Sequence, residues 1–271
     1  MLKFTVILGL LTVSLALPSS HNEFYKFGDT NQALKIINGN PAKPHQFPYQ
    51  VGMYVYTSSR SDFCGGSLIS NNYVLTAAHC VDKAVKVNMV FGAHNITNPE
   101  ESSQVRLSST SFIVHEGWDG DIINENDIAL IKLPSPVQTS TVIKTVSLAA
   151  GTNKYVNSVG NVAGWGLTKN SQTVVTPVLR YISPSILSND DCKKVDKDYE
   201  SVILDTLLCS NPGSHKQGTC QGDSGGPLVV DGVQIGVVSF GSTDCEEGKP
   251  SIFTRVTEYH DWIAKHSDVK F

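Results

Sequence analysis

Short runs rich in Val, Ile, Tyr, Phe and Thr recur along this chain of 271 residues, and turn-forming Gly, Asn, Asp, Ser and Pro separate them. Many short strands with frequent turn signals are typical of a sandwich or a barrel, so the pattern predicts an all-β fold. The runs that we predict as strands are 50–56, 66–69, 74–76, 85–91, 128–133, 161–165, 227–230, 233–240 and 252–256.

Helical periodicity is scarce in the sequence. Apolar residues at helical spacing predict a C-terminal helix over 256–266 that docks on the body of the protein. A shorter helix is expected near 188–195, with Ser188 or Asn189 as its N-cap.

The N-terminal residues have the parts of a secretory signal peptide: a positive residue, an apolar stretch of about ten residues, and small residues that end at Ala16. This stretch is well short of the roughly 20 residues that a membrane span requires. Residues 17–35 have no sustained periodicity and predict a mobile leader. We therefore expect a signal peptide over 1–16, a leader over 17–35 and one domain over 36–271.

Six cysteines add a covalent constraint: Cys64, Cys80, Cys192, Cys209, Cys220 and Cys245. An even number in a secreted protein indicates disulfides, and six cysteines allow fifteen different pairings. The net charge is −4, from 21 basic and 25 acidic side chains, so no basic excess indicates nucleic-acid binding.

Three segments carry residues suited to catalysis, at 76–80 (TAAHC), 127–133 (DIALIKL) and 222–228 (GDSGGPL). A lone histidine is usually structural, and an aspartate before a strand is usually a turn residue. Ser224 is less easily dismissed, because its flanking glycines and aspartate predict a sharp turn with outward-pointing backbone N–H groups. Acyl transfer requires such an exposed hydroxyl and such donors for a developing oxyanion.

Together these segments resemble the chymotrypsin-like (trypsin-fold) serine proteases, which share the chain order histidine, aspartate, serine. The resemblance extends from Ile36 to the C-terminus and rests on GDSGGP at 222–227 and AAHC at 77–80. It implies two six-stranded antiparallel β-barrels with the active site between them and a C-terminal α-helix.

The resemblance implies a role for each matching residue. Ser224 matches the nucleophile that forms an acyl-enzyme, and His79 matches the base that takes its proton and later returns it to the leaving amine. Asp127 matches the carboxylate that fixes the imidazole tautomer, and Gly222 and Ser224 would supply the two oxyanion-hole N–H groups. An intact triad argues against a non-catalytic binding protein on the same scaffold.

The leader gains a meaning from the same resemblance. The segment IING that begins at Ile36 matches the mature N-terminus of the family, except that Asn38 replaces a glycine. Cleavage after Lys35 by a trypsin-like protease would free the Ile36 α-amine to pair with Asp223. Residues 17–35 are therefore predicted to be the activation propeptide of a zymogen.

Six positions match the specificity pocket of the family: Gly218, Thr219, Ser239, Phe240, Gly241 and Ser251. Trypsins carry an aspartate where this chain has Gly218, and a buried substrate Lys or Arg without a counter-charge is costly. We expect an open, uncharged pocket that prefers Phe, Tyr, Leu or Met before the scissile bond. Rim residues Asp244, Glu246 and Glu247 leave a partial preference for basic residues open. A broad, elastase-like or collagenolytic preference is a further alternative, because the stretch 245–250 looks like that of arthropod digestive chymotrypsins and of fly-larva and crab collagenases.

The resemblance also selects a disulfide pairing: Cys64–Cys80, Cys192–Cys209 and Cys220–Cys245. A further bridge of the family is missing on both sides, because Gly160 and Val230 occupy the positions of its cysteines. The loss of both partners leaves no odd thiol.

Asn95 begins the sequon Asn-Ile-Thr and predicts N-glycosylation. Its loop matches the calcium loop of vertebrate trypsins, but Ala93 replaces the first glutamate ligand and Ser103 replaces the last. Since a calcium ion takes about six or more oxygens, we predict no calcium site in this loop. We also expect no other metal site and no cofactor. His115 and His260 are interpreted as structural or surface residues.

The predicted function is a secreted, extracellular serine endopeptidase with a digestive role, acting on protein and peptide substrates. Its expected partners are an activating trypsin-like protease and protein protease inhibitors, with no nucleic acid and no membrane, and the expected state is a monomer. A regulatory or clotting-type protease is the alternative within the family.

Overall fold

The computed structural model describes residues 36–123, 125–195 and 197–271, which lie in one compact unit. The predicted signal peptide, the leader and Lys35 fall outside these residues. Within the described ranges, no helix is both long and apolar enough to cross a bilayer.

The described chain begins with a short strand, β1 (Asn40–Pro41), that belongs to the second of two sheets. The first sheet has seven antiparallel strands in the order β6-β5-β2-β3-β4-β8-β7. Their bounds are β2 (Gln50–Tyr56), β3 (Ser61–Ser70), β4 (Tyr73–Thr76), β5 (Lys86–Phe91), β6 (Val105–Ser109), β7 (Phe112–Val114) and β8 (Ala129–Lys132).

The second sheet has nine strands and follows the order β1-β11-β10-β14-β15-β16-β13-β12, while β9 pairs in parallel with β15. Its further strands are β9 (Ser147–Leu148), β10 (Asn161–Gly164), β11 (Arg180–Ile182), β12 (Ile186–Leu187), β13 (Leu207–Ser210), β14 (Pro227–Val230), β15 (Val233–Phe240) and β16 (Ile252–Arg255).

Four short α-helices complete the described structure: α1 (Ala78–Val81), α2 (Asn189–Val195), α3 (Lys197–Glu200) and α4 (His260–His266). The predicted cap of α2 is confirmed, since the N–H of Asp191 donates to Ser188 Oγ over 3.0 Å. The predicted C-terminal helix is divided at Tyr259, where φ is −118°, into a 3-10 turn (Val256–Glu258) and α4.

The prediction of an all-β fold with two antiparallel sheets and a C-terminal helix is confirmed, and every run predicted as a strand overlaps a strand. The curled sheets have seven and nine strands instead of six each. Part of the excess comes from β1, β9 and β12, segments of only two residues that add to the second sheet and are too short for a periodic sequence signal.

The two sheets share a core and a few buried polar contacts. Ser67 Oγ donates to Gln234 Oε1 over 2.7 Å, and the N–H of Gly65 donates to the carbonyl of Ser224 over 2.7 Å. Because a buried polar group is costly unless it is paired, these bonds fix how the sheets meet. They place the Ser224 turn of one sheet against β3 of the other.

All three predicted disulfides are present, Cys64–Cys80, Cys192–Cys209 and Cys220–Cys245, and no cysteine is free. The positions of the missing family bridge also face each other, since a Cβ added to Gly160 would lie 3.2 Å from Val230 Cγ2.

Candidate active site

His79 and Asp127 meet at one edge of the first sheet. Strands β4 and β8 are antiparallel, with Thr76 opposite Ala129, so the residues after β4 and before β8 emerge at the same edge. His79 lies in α1 directly after β4, and Asp127 lies just before β8. The strand pairing therefore brings together two residues that are 48 positions apart in the sequence.

The carboxylate of Asp127 is fully buried and well satisfied. Oδ1 accepts the backbone N–H of His79 over 2.9 Å, and Oδ2 lies 2.8 Å from His79 Nδ1 and accepts the hydroxyl of Ser239 over 2.6 Å. A proton on Nδ1 that points at Asp127 leaves Nε2 as the free basic nitrogen. The imidazole is thus oriented to take a proton on the Nε2 side.

Ser224 lies on a tight turn that requires glycine on either side. Gly222 and Gly225 have φ values of +94° and +78°, a region that side chains avoid. A Cβ on Gly225 would also overlap Thr76 Oγ1, so the turn packs directly against the end of β4. The glycines of the motif allow both the conformation and this close approach.

The backbone N–H groups of this turn fall into two sets. Those of Asp223, Gly225 and Gly226 donate to backbone carbonyls over 3.0, 2.8 and 3.0 Å. Those of Gly222 and Ser224 have no protein acceptor among the residues that the structure describes. These two are the N–H groups predicted to form the oxyanion hole, and they remain available to a ligand oxygen.

Ser224 is tied to the histidine segment through the backbone and a disulfide. Its carbonyl accepts from Gly65, which follows Cys64, and Cys64 is bridged to Cys80 beside His79. Within the described residues, Ser224 Oγ makes no hydrogen bond to His79 Nε2. Such catalytic bonds often tighten only when substrate binds.

Asp223 is the second buried carboxylate of the site. It accepts the N–H of Gly166 over 2.9 Å and the N–H of Cys220 over 3.0 Å, and a Cβ on Gly164 or Gly166 would overlap its carboxylate. Burial raises the pKa of Asp223 to about 7, although the two N–H bonds oppose this shift. No Lys, Arg or His side chain in the described part of the chain forms an ion pair with it.

The segment that begins at Ile36 is docked against the second sheet. The Ile36 side chain is buried in the main core, and Ile37 forms an isolated bridge with Gly218. Asn38 Nδ2 donates to the carbonyl of His215 over 2.9 Å, and the carbonyl of Asn38 accepts from Gln217 Nε2 over 3.0 Å. Asn38 has a φ of +55°, a conformation that asparagine tolerates almost as glycine does, which explains its place in the segment.

Four of the predicted pocket positions lie close together: Gly218, Thr219, Gly241 and Ser251. Ser251 Oγ accepts the N–H of Thr219 over 3.0 Å, and a Cβ on Gly218 would lie 3.4 Å from that oxygen. A Cβ on Gly241 would come no closer than 3.9 Å to the opposite wall. The base of this pocket is therefore lined by a glycine and a hydroxyl, and its mouth is not blocked by a side chain at position 241.

Two other predicted wall residues point elsewhere. The hydroxyl of Ser239 donates to Asp127 Oδ2 over 2.6 Å, so this side chain holds the carboxylate that faces His79. The Phe240 ring packs partly against the small core cluster that contains the Cys192–Cys209 bridge.

Acidic residues at the pocket rim are already engaged. Asn170 donates to Asp244 Oδ1 over 2.5 Å and to Glu246 Oε2 over 3.0 Å, and Glu247 pairs with Lys249 over 3.3 Å. Exposed, partnered carboxylates of this kind contribute little to the binding of a charged substrate. The sequence did not reveal Asn170, because its partners are more than 70 residues away.

The loop that carries Asn95 is held by Glu101. Partial burial alone would raise the pKa of Glu101, but hydrogen bonds from Gln104, Asn95 and His94 outweigh it and lower the pKa. The carboxylate is thus oriented toward donors of its own loop. Asn95 is half-buried, with Oδ1 accepting from Thr97 over 2.8 Å, and its glycosylation stays a prediction.

The ligand atoms of Cys64, His79 and Cys80 lie within 4.8 Å of one another. The two sulfurs are bonded to each other, so neither is a thiolate and the group is not suited to a metal ion.

Comparison with known proteins gives concordant results. The family model described as Trypsin matches residues 36–263. The chain is 42% identical to brachyurin from Leptuca pugilator over 86% of this chain and 99% of that protein. It is 37% identical to chymotrypsin from Phaedon cochleariae, over 97% of both chains. The solved structure of HL collagenase superposes with a TM-score of 0.77 and 37% identity, covering 87% of this chain and all of that one.

Proposed function

Since the chain belongs to the trypsin family and is a serine endopeptidase, we propose that it is a secreted zymogen that cleaves after large apolar or aromatic residues. The observation that carries the specificity is the pocket base, where Gly218 and the Ser251 hydroxyl replace a carboxylate. A chymotrypsin-like preference follows, because no charge compensates a buried Lys or Arg side chain.

In the proposed mechanism, His79 Nε2 takes the proton of the Ser224 hydroxyl as its oxygen attacks the scissile carbonyl carbon. Asp127 holds the opposite ring nitrogen over 2.8 Å and stabilises the imidazolium that forms. His79 then donates the proton to the leaving amine as the peptide C–N bond breaks and an acyl-enzyme remains. A water molecule repeats the sequence, with His79 again as base, and releases the acid.

The two unpaired N–H groups of Gly222 and Ser224 would receive the carbonyl oxygen as it becomes an oxyanion. Loss of one such donor raises the barrier by about 3–4 kcal/mol in serine proteases. In the cleaved enzyme, a fixed orientation of these two N–H groups means that little reorganisation is needed during the reaction.

Kinetics on matched peptide anilides with Phe, Leu, Ala or Arg before the bond test the specificity. We expect Phe or Leu to give the highest kcat/KM, and Gly218→Asp to raise the relative rate on Arg. An Arg substrate that won by tenfold in the unmodified protein, about 1.4 kcal/mol in the barrier, would contradict the proposal.

Secretion and activation are the other parts of the proposal. Support comes from the signal-peptide pattern over 1–16, from the docked Ile36 segment and from the buried Asp223, which pairs with no cationic side chain in the described ranges. Secreted Lys35→Gln protein should stay inactive after treatment with trypsin, whereas the unmodified protein becomes active. Equal activity of the two would contradict activation at this bond.

A broader, collagenolytic activity is the second candidate, favoured by the likeness to HL collagenase. The activated enzyme would then cut native triple-helical collagen as well as gelatin. Cleavage of gelatin alone would leave the apolar endopeptidase as the better description. The digestive setting follows the resemblance to arthropod digestive chymotrypsins.

A further inference from the structure

We propose that Tyr259 is a positioning residue of the catalytic triad, whose hydroxyl fixes Asn126 and thereby holds the Asp127 carboxylate on His79. The inference rests on the assignment of Asp127 to the triad in the proposed function. It adds a residue from the C-terminal segment, more than 130 positions from Asn126 in sequence, to the machinery that orients the imidazole.

The Tyr259 hydroxyl makes two complementary hydrogen bonds to one residue. It accepts the backbone N–H of Asn126 over 3.0 Å and donates to Asn126 Oδ1 over 3.2 Å. Burial raises the pKa of Tyr259 to about 12, so the hydroxyl keeps its proton across the working range of a protease. The pair of bonds fixes both the peptide and the side chain of the residue before Asp127.

Asn126 has an uncommon backbone conformation. Its φ is +69°, in the left-handed region that asparagine adopts more readily than most residues with a side chain do. Its carbonyl accepts the N–H of Ile128 over 2.7 Å, which closes a three-residue turn with Asp127 at the centre. The direction of the Asp127 side chain therefore depends on the Asn126 peptide.

The far side of Asn126 is also held. Its Nδ2 donates to the carbonyl of Gly117 over 3.1 Å, and a Cβ on Gly117 would lie 2.8 Å from that nitrogen. The Asn126 side-chain amide is thus hydrogen-bonded on both sides, to Tyr259 and to Gly117. Removal of the Tyr259 hydroxyl would leave Asn126 Oδ1 without this donor.

Tyr259 is itself rigidly placed. It lies between the 3-10 turn and α4, where its N–H donates to Val256 over 3.0 Å and its carbonyl accepts from Ile263 over 2.9 Å. Its ring packs edge-on against the His115 imidazole, with centroids 5.3 Å apart. The C-terminal helix therefore reaches the triad through one fixed side chain.

Several titratable groups face this hydroxyl. Glu125 and Asp127 each raise the pKa of Tyr259, while burial of His115 lowers the pKa of that imidazole and favours its neutral form. None of them replaces the phenol as the donor to Asn126 Oδ1, so the role belongs to Tyr259.

The test is Tyr259→Phe, which keeps the ring and removes the hydroxyl. We expect kcat to fall about 10-fold to 100-fold while KM stays within twofold. The acid limb of the pH profile of kcat/KM should move to lower pH, because a displaced Asp127 carboxylate stabilises the protonated His79 less. Loss of packing alone would not move that limb.

Tyr54→Phe is the matched control, since the Tyr54 hydroxyl also donates a hydrogen bond, to the carbonyl of Ile96 over 3.4 Å, but lies in β2 and is not bonded to Asn126 or Asp127. It should leave kcat and the pH profile unchanged. Thermal unfolding of both variants shows that each is folded. A Tyr259→Phe profile that matched Tyr54→Phe would overturn the inference.

A second arm repeats Tyr259→Phe in an Asp127→Asn background. If the hydroxyl acts through the carboxylate, it should add less than a further twofold loss there. The same loss in both backgrounds would overturn this inference while the proposed function stands. An Asp127→Asn protein with full activity would instead remove the proposed triad itself.

Discussion

Asp127 and Asp223 are both buried carboxylates of the candidate active site, with 0% and 1% of their surface exposed, but their surroundings differ. Asp127 receives a backbone N–H, an imidazole and a hydroxyl, drawn from both sheets. Among the described residues, Asp223 receives two backbone N–H groups and no side-chain donor, and burial raises its pKa to about 7. A buried charge is tolerated where partners compensate it, so one environment is complete and the other is suited to an added cation.

The comparison separates catalysis from activation. The histidine–aspartate pair is assembled by strand pairing within the folded chain, and it needs nothing beyond the described residues. The carboxylate next to Ser224 has no cationic side-chain partner among the described residues, and the proposed partner is the Ile36 ammonium formed by cleavage after Lys35. We infer that the proton-transfer half of the site is preformed and that the oxyanion half is completed last.

The largest expected effect is that of Asp127→Asn in the cleaved enzyme. It should lower kcat about 10⁴-fold at neutral pH with little change in KM, because the imidazole loses its tautomer and its counter-charge. Steady-state kinetics measure the loss. A reduction of less than tenfold would show that the two carboxylates do not differ as described.

A smaller effect is expected for Asp223→Asn in the cleaved enzyme. Here kcat/KM should fall by about 10²–10³, the size of a lost oxyanion donor, because the turn loses the ion pair that orders it. The matched comparison with Asp127→Asn distinguishes the two roles, since KM should rise only for Asp223→Asn. Unchanged KM in both variants would place both residues in proton transfer.

Much of this arrangement was predictable from sequence, but by different routes. The strands followed from local composition, since short runs rich in β-branched and aromatic residues between turn residues, such as Gln50–Tyr56, form the strands of the sheets. The triad and the disulfides came from the resemblance carried by short motifs. The C-terminal pattern predicted a helix but not the break at Tyr259, whose hydroxyl is bound to Asn126, a residue of the turn before β8 that is 133 positions away.

The contacts that the sequence could not reveal are long-range hydrogen bonds. Thr254 Oγ1 donates to the carbonyl of Asp127 over 2.7 Å across 127 positions, and Ser239 reaches the same residue across 112. Neither bond produces a periodic pattern in the sequence, because only the packing of the two sheets brings the partners together. Ser239 was predicted as a pocket wall alone for the same reason.

If Asp223 has no cationic partner until cleavage after Lys35, the free energy of unfolding of the uncut chain should fall as pH rises. An unfolded chain releases this proton near pH 3.8, whereas the folded uncut chain keeps it until about pH 7. The unfolded state therefore binds fewer protons between these values, and the free energy of unfolding falls as pH rises, by roughly 4 kcal/mol in total.

Urea unfolding of uncut and cut protein between pH 4 and 8 measures this directly, with Ser224→Ala in every sample to prevent autolysis and Asp223→Asn as the reference. We expect the free energy of unfolding of the uncut chain to fall, relative to its Asp223→Asn reference, as pH rises. After cleavage at Lys35 that loss should disappear, because the new ammonium compensates the carboxylate. The same pH-dependent loss in cut and uncut protein would contradict the account.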